Sequence, residues 1–426
     1  MESIEKKDFT AKHDNEKFMI KIGLWLIMIF VIWNLPPSGA LTKAGVHTIA
    51  AFLGMIYGLI FIKEYGIPCL FCILLMGFSG AYGSMNAAFI AAFGNVAFVM
   101  MFNILLVGGI VAYTGLAKNI ALRMINAKFA AGRPWTLTLV MLVTASFMST
   151  FIAPLIPMII LSEIFVEIFR NLNMKGNRWT LFVLGDLVIM CMTAQNIMPF
   201  QGGQAIMFGL LEGFDARLAL SNYSGTYILV QMIFQVLLIL FAWGFTWLCC
   251  RDSVSELKNY KPSEEKYPFS EDMKIALWII VGYVFIQLFP LVLPAGSSIR
   301  MFLETPNVTG WSAFAVCVAL FITKKSGHKL MTFDQVSGHG LNWYILLMLA
   351  GLGATTGAFN STGLITWVSD ILTPICNSLS PYGIFAVLVV FCFVMTNVTD
   401  NIAIMFLAIP VLYAVSISTG MNTAAV

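Results

Sequence analysis

The run Met395-Thr396-Asn397-Val398-Thr399-Asp400-Asn401 lies between two charge-free apolar blocks, Gly383–Val394 and Ile402–Val415. An ionisable group at bilayer depth costs about 3 kcal/mol even on lenient insertion scales, which makes Asp400 a functional-site candidate. Two further stretches share this character: Ser149-Thr150 ahead of Pro154 and Pro157, and Thr193–Asn196 with Pro199–Gln204, which interrupt a helix-like run. Their chemistry is that of oxygen. A hard cation such as sodium takes oxygen ligands, and Ser149, Thr150, Asn196, Thr399 and Asn401 supply hydroxyl and amide oxygens. Broken helices add bare carbonyls at one half-helix end and a positive dipole end for an anion at the other. No Lys or Arg sits near these residues, so an anion there would rely on dipoles, uncharged donors and co-bound cations. Asp400 would favour a cation when ionised and couple to protons when protonated. As an alternative it is simply a helix N-cap.

Composition sets the medium in which this chemistry occurs. The chain is 59% hydrophobic and 11% charged, with mean hydropathy +0.87, whereas soluble domains carry about a quarter charged residues. The expected class is an all-α polytopic membrane protein. A net charge of +3 points to no nucleic-acid partner. The eight Cys sit almost entirely in apolar runs, and the four His show no ligand spacing, so neither a disulfide framework nor a metal site is expected. Paired catalytic Asp, Ser-His pairs and nucleotide loops are missing too; an intramembrane enzyme is the weaker reading, and no cofactor is implied beyond a coupling ion.

Charge-free lengths then place the elements. A polar segment, 1–21, precedes a first span over 22–42, and Ala44–Ile62 makes a second. Tyr65–Ala117 is long enough for two or more spans, with a turn marked by Gly77, Gly80, Gly83 and Gly94. Lys118–Arg133 is basic and amphipathic, as expected of an interfacial helix. Pro134–Ser162 is charge-free, yet basic loops flank it on both sides, with Arg170, Lys175 and Arg178 following. A single tilted crossing would leave one basic cluster outside, whereas a re-entrant hairpin with its tip near Ser149-Thr150 keeps both inside. Trp179–Met192, which carries Asp186, then breaks before Ala205–Leu211 resumes, giving a discontinuous helix. Residues 218–250 form another span, and Arg251–Lys274 reads as a solvated, cytoplasmic linker between halves.

The second half, 275–426, repeats the layout of 22–250. Thr114-Gly115-Leu116 and Thr362-Gly363-Leu364 each follow a glycine-rich helix and lead to a charge-poor block holding Ile156-Pro157 or Ile409-Pro410. The connector after the first motif is rich in Lys and Arg; the one after the second has none. Counting crossings from a cytoplasmic N-terminus puts the two connectors on opposite faces, so the repeats are read as inverted, each with a re-entrant hairpin and a discontinuous helix. The segments around Ser149 and Asn401 are then expected to enter the lipid from opposite sides. Residues 395–401, read alone, fit a short extramembrane loop equally well.

With these residues in view, the chain resembles the divalent anion:sodium symporter family. Family hairpin tips carry Ser-Asn-Thr with Pro eight residues later, and family broken helices carry Thr-Pro-Pro-Asn. Thr396–Pro410 falls on the second-tip pattern without a gap: Asn401 lies on the motif Asn, Asp400 on its Ser and Ile402 on its Thr. Trp343–Leu364 is similar to the helix before that hairpin, and the likeness runs from about Asn103 onward. Departures are clear. The first tip offers Phe147-Met148-Ser149 or, one residue on, Met148-Ser149-Thr150, without the Asn; Gln201-Gly202-Gly203-Gln204 stands in place of Thr-Pro-Pro-Asn. By analogy with the first repeat, a broken helix and a last span are expected after the second hairpin; either the chain is truncated at Val426 or the second site is built differently. The resemblance implies a plasma-membrane secondary transporter, paired as a homodimer, that takes up a small divalent anion such as a dicarboxylate with sodium. Substrate binding would fall to Ser149, Thr150, Gln201, Gly202, Thr399 and Asn401. Cation binding would fall to Ser149, Asn196, Gly203, Gln204, Thr396, Asp400 and Asn401. A proton-coupled carrier is the alternative, and Asp400 suits it.

Overall fold

Proline and glycine punctuate this chain into helices. The computed structural model describes all residues except 1, 40, 63, 152–153, 175, 199–201, 216–217, 219, 261–266, 295–296, 325, 378–380, 397–400 and 420–426. Among the described residues there are 19 α-helices joined by short turns, and the β-structure there is one isolated bridge, Thr323 with Lys329. Several helices are long and apolar enough to cross a bilayer: Lys43–Ile62, Val96–Thr114, Pro134–Phe151 and Thr226–Ser253. The chain is thus a helical, multi-pass membrane protein. Its first helix departs from expectation. It runs Glu2–Trp33 through the polar segment and ends well before residue 42, because Pro36 and Pro37 cannot continue it.

Contacts divide the chain into two units. One comprises Met1–Val99, Ile206–Ala219 and Asn342–Val426; the other comprises Met100–Ala205 and Leu220–Leu341. In the first unit the helix Trp343–Ser361 is central and packs on Lys43–Tyr57, Gly66–Phe78 and Met85–Phe93. The Tyr82 hydroxyl donates to the Ala354 carbonyl and the Asn95 amide to that of Leu349. Gly66–Phe78 and Met85–Phe93 have only 13 and 9 residues, about 20 and 14 Å, too short to cross singly. Between them Gly80 takes φ +83°, within the turn region that the glycines marked.

The same unit holds the helices Pro381–Thr396 and Asn401–Thr419. Ile384, Leu388, Val411 and Val415 form one cluster, the register of two helices that pack against each other. Of the polar run 395–401, Met395 and Thr396 end the first of these helices and Asn401 begins the second; 397–400 lie outside the described residues.

In the second unit the helices Pro134–Phe151 and Leu155–Asn171 form the other hairpin. One indole settles their direction. Trp179 Nε1 donates to Thr138 Oγ1 at 3.1 Å, and the same ring meets Phe169 edge-on, centroids 5.3 Å apart. Thr138 opens the first arm and Phe169 closes the second, so the chain returns to the end it left. A single tilted crossing is excluded, and Trp179 and Phe165 are fully buried in the core that results. The first arm has 18 residues, about 27 Å, which nearly matches the hydrocarbon thickness.

Two further expectations are corrected in this unit. The basic amphipathic helix covers Leu116–Ile125 only, and packs on both hairpin arms. The stretch Arg251–Tyr260 is no solvated linker: Val254, Leu257 and Tyr260 are buried. Gly132 N–H donates to the Tyr260 carbonyl, and the Asn177 amide donates to that of Ser253. This strap therefore touches the loops before and after the first hairpin, and both basic loops share one end of the unit. Arg123 donates to the Tyr267 carbonyl and lies 3.8 Å over the Phe269 ring. Burial, with Tyr267 nearby, pushes the Tyr260 phenol up to about 12.

Candidate functional site

Ser149 and Thr150 lie in the last turn of the first hairpin arm, Pro134–Phe151. The helix carries to Phe151, one residue past Thr150. Thr150 Oγ1 donates to the Ser146 carbonyl at 2.8 Å, so its proton is committed to its own helix while its lone pairs stay open. Ser149 is fully buried, and its Oγ has no hydrogen-bond partner among the described residues. The side-chain group it meets is the thiol of Cys191, a weak donor and weak acceptor that pairs it poorly. Leaving such a group unpaired away from water costs about 1–3 kcal/mol.

That thiol belongs to the helix Arg178–Ala194, which packs along the first arm. The hairpin end and the break in this helix are thereby side by side within one unit. Beyond Ala194 the chain turns twice, through Asn196 N–H to the Thr193 carbonyl and Ile197 N–H to that of Ala194. Asn196 is half-buried, and its carbonyl accepts from the Tyr227 hydroxyl at 2.7 Å. Its main chain is thus held in place while the side chain remains available.

The second half-helix starts at Gly202 and runs to Phe214. Gly203 and the half-buried Gln204 therefore stand in its first turn, not in an unwound segment as their sequence suggested. Glycine pairs read as breakers, yet a first turn tolerates them because its N–H groups have no partners inside the helix. Those N–H groups are donors at a positive dipole end, a chemistry that suits an anion better than a cation. In its own unit this half-helix is anchored by Phe214, whose ring stacks on Tyr413 at 5.1 Å and on Phe359 at 6.3 Å.

Thr396 closes the first arm of the second hairpin; it is exposed and its hydroxyl donates to the Phe393 carbonyl at 2.9 Å. Asn401 is the first residue of the returning helix. Gln201, Thr399 and Asp400 lie outside the described residues, as does the side chain of Asn401.

Two residues near Ser149 and Asp186, Gln235 and Thr246, escaped the sequence reading. Gln235, 3% exposed, donates through Nε2 to Ser146 Oγ at 2.9 Å and lies 3.6 Å from Met190 Sδ. Its own Oε1 is buried without a partner. Thr246 donates to Asp186 Oδ2 at 2.7 Å, and Asp186 is 8% exposed. The available signal was a few polar side chains inside the otherwise apolar stretch 226–250. By contrast Glu163 and Glu167 are exposed.

The arrangement offers uncharged oxygens at one hairpin end, donor N–H groups at a half-helix start and a buried carboxylate with one hydroxyl donor. No curated protein matches the sequence. The family profile described as CitMHS, citrate transporter, matches residues 16–426; that ion-transporter family is related to the symporters whose tip motif the second hairpin resembles. Since the match covers nearly the whole length, the chain belongs to the citrate transporter family.

Proposed function

We propose that this protein is a secondary transporter that carries citrate or a related small carboxylate anion across the cell membrane, driven by a co-transported cation and working by alternating access. Family membership supports the substrate class. The cation is supported by one observation above the others: among the described residues, Ser149 Oγ is buried at the end of a hairpin with no partner better than the Cys191 thiol. An uncharged hydroxyl in that setting suits a sodium ion, with Asn196 following close in the chain. Ser149 and Thr150, with the Gly202 end of the half-helix and Gln201, face the carboxylates; Gly203 and Gln204 add donors there. In the other unit Thr396, Thr399, Asp400 and Asn401 carry the corresponding roles. The repeats are inverted, the N-terminus is cytoplasmic and the protein pairs as a homodimer.

Uptake of labelled citrate into proteoliposomes tests this, with succinate and sulfate as competitors. Inward sodium should raise initial uptake at least tenfold over an equimolar choline control. Equal rates with and without sodium would overturn the sodium coupling. A second reading, proton coupling, is favoured by Asp186, a carboxylate held by Thr246 with no basic ion-pair partner among the described residues. An inward pH gradient at fixed sodium separates the two, because it drives uptake only in the second.

A further inference from the structure

Gln235 closes a ring of polar side chains around the last two turns of the first hairpin arm. Its Nε2 donates to Ser146 Oγ at 2.9 Å and lies 3.6 Å from Met190 Sδ. Met190 adjoins Cys191, whose thiol lies beside Ser149 and 4.0 Å from the Ala145 carbonyl. Ser149 in turn is one helical turn from Ser146, on the same face. The ring joins three helices of one unit, Pro134–Phe151, Arg178–Ala194 and Leu220–Cys250. Ser146, Ser149 and Gln235 are all at least nine-tenths buried.

Among the described residues, Gln235 Oε1 has no hydrogen-bond partner and Ser149 Oγ has none beyond the weak Cys191 thiol. Turning the Gln235 amide over would exchange its ends without pairing both. A polar network that is satisfied at Ser146 and open at Ser149 has a simple mechanical reading. The amide fixes the turn carrying Ser146, that turn fixes the next one, and the Ser149 hydroxyl is presented open instead of rotating to a substitute partner.

We propose that Gln235 is a positioning residue for the coupling cation: through Ser146 it sets the turn of helix that presents Ser149. This rests on the reading that Ser149 contributes to the ion site. Gln235 itself need touch neither cation nor anion. It belongs to a long helix with an apolar exposed face, where an amide would otherwise be hard to account for.

The experiment is citrate uptake into proteoliposomes over a sodium titration, repeated at saturating sodium over a citrate titration. Gln235→Met keeps the side-chain length and removes the amide. It should raise the half-saturating sodium concentration about tenfold; at saturating sodium, where the bound ion itself holds Ser149 in place for the carboxylate, the citrate KM should stay within about twofold. Ser146→Ala removes the same contact from the other side and should shift the sodium curve likewise, which keeps the test available where Gln235→Met fails to fold. Gln235→Met combined with Ser149→Ala should be no worse than Ser149→Ala alone, because both act on one ligand.

A changed citrate KM with an unmoved sodium curve would overturn the proposal, as would shifts that multiply in the double variant. A Ser149→Ala protein with unaltered sodium dependence would remove Ser149 from the ion site and the Gln235 route with it, leaving sodium coupling intact. Wild-type uptake indifferent to sodium would overturn both the coupling and the proposal.

Discussion

A hydroxyl that is sealed from solvent with only a weak thiol beside it lowers stability, and among the described residues Ser149 carries one. Replacing it by alanine removes the desolvation penalty, about 1–3 kcal/mol, and almost no volume. In cation-free buffer Ser149→Ala should therefore match or exceed the wild type in thermal midpoint, measured by tryptophan fluorescence in detergent micelles, while citrate uptake falls at least tenfold. A drop in both together would mark Ser149 as a packing residue. The first-hairpin half of the candidate site was legible because a serine and a threonine precede two prolines in a charge-free stretch, a pattern that simple packing does not require. Gln235 was not legible. Its partners, Ser146 and Met190, lie 89 and 45 residues away, and no local pattern reports such distances. Gly203 and Gln204 were misread for a different reason: composition alone cannot distinguish a glycine pair that breaks a helix from one that begins it.

At the scale of elements, the two Thr-Gly-Leu motifs take the same conformation. Gly115 has φ +69° and Gly363 φ +76°, the left-handed region, and each joins a 19-residue helix to a shorter one. A β-carbon in that region costs about 1–2 kcal/mol. Gly115→Ala and Gly363→Ala should each lower the thermal midpoint by a few degrees, and Gly115→Asn by less, since asparagine tolerates this conformation better. Equal midpoints for Ala and wild type would show that the chain reaches these corners without a left-handed residue. The repeat of elements was readable because both motifs recur with the same neighbours. The first hairpin was readable because charge, not hydropathy, betrayed its direction. The strap Arg251–Tyr260 was missed because its charges dominate its composition. Its apolar residues Val254, Leu257 and Tyr260 are three apart, the period of the 3-10 turn that Ser255–Asn259 adopts, and a search at helical or strand period passes over them.

For the whole molecule, the distribution of Lys and Arg carries the most consequential prediction. The loops before and after the first hairpin both meet the same strap, so they lie at one end of their unit, and between them they carry seven Lys and Arg, with no acid in Lys118–Arg133. The positive-inside tendency assigns that end to the cytoplasm. The corresponding connector after Gly363 carries Asp370 and no basic residue, and in an inverted repeat it belongs to the other face. Single cysteines at Lys128, Asn171 and Asp370, all exposed positions, test the arrangement once the eight native cysteines are replaced. A membrane-impermeant maleimide should label Lys128→Cys and Asn171→Cys in inverted vesicles and not in intact cells, and Asp370→Cys only in intact cells. Lys128→Cys and Asn171→Cys on different sides would contradict the fold-back that Trp179 records. Asp370→Cys on the cytoplasmic side would leave both hairpins intact but make the repeats parallel, and alternating access would then need a symmetry other than an axis in the membrane plane.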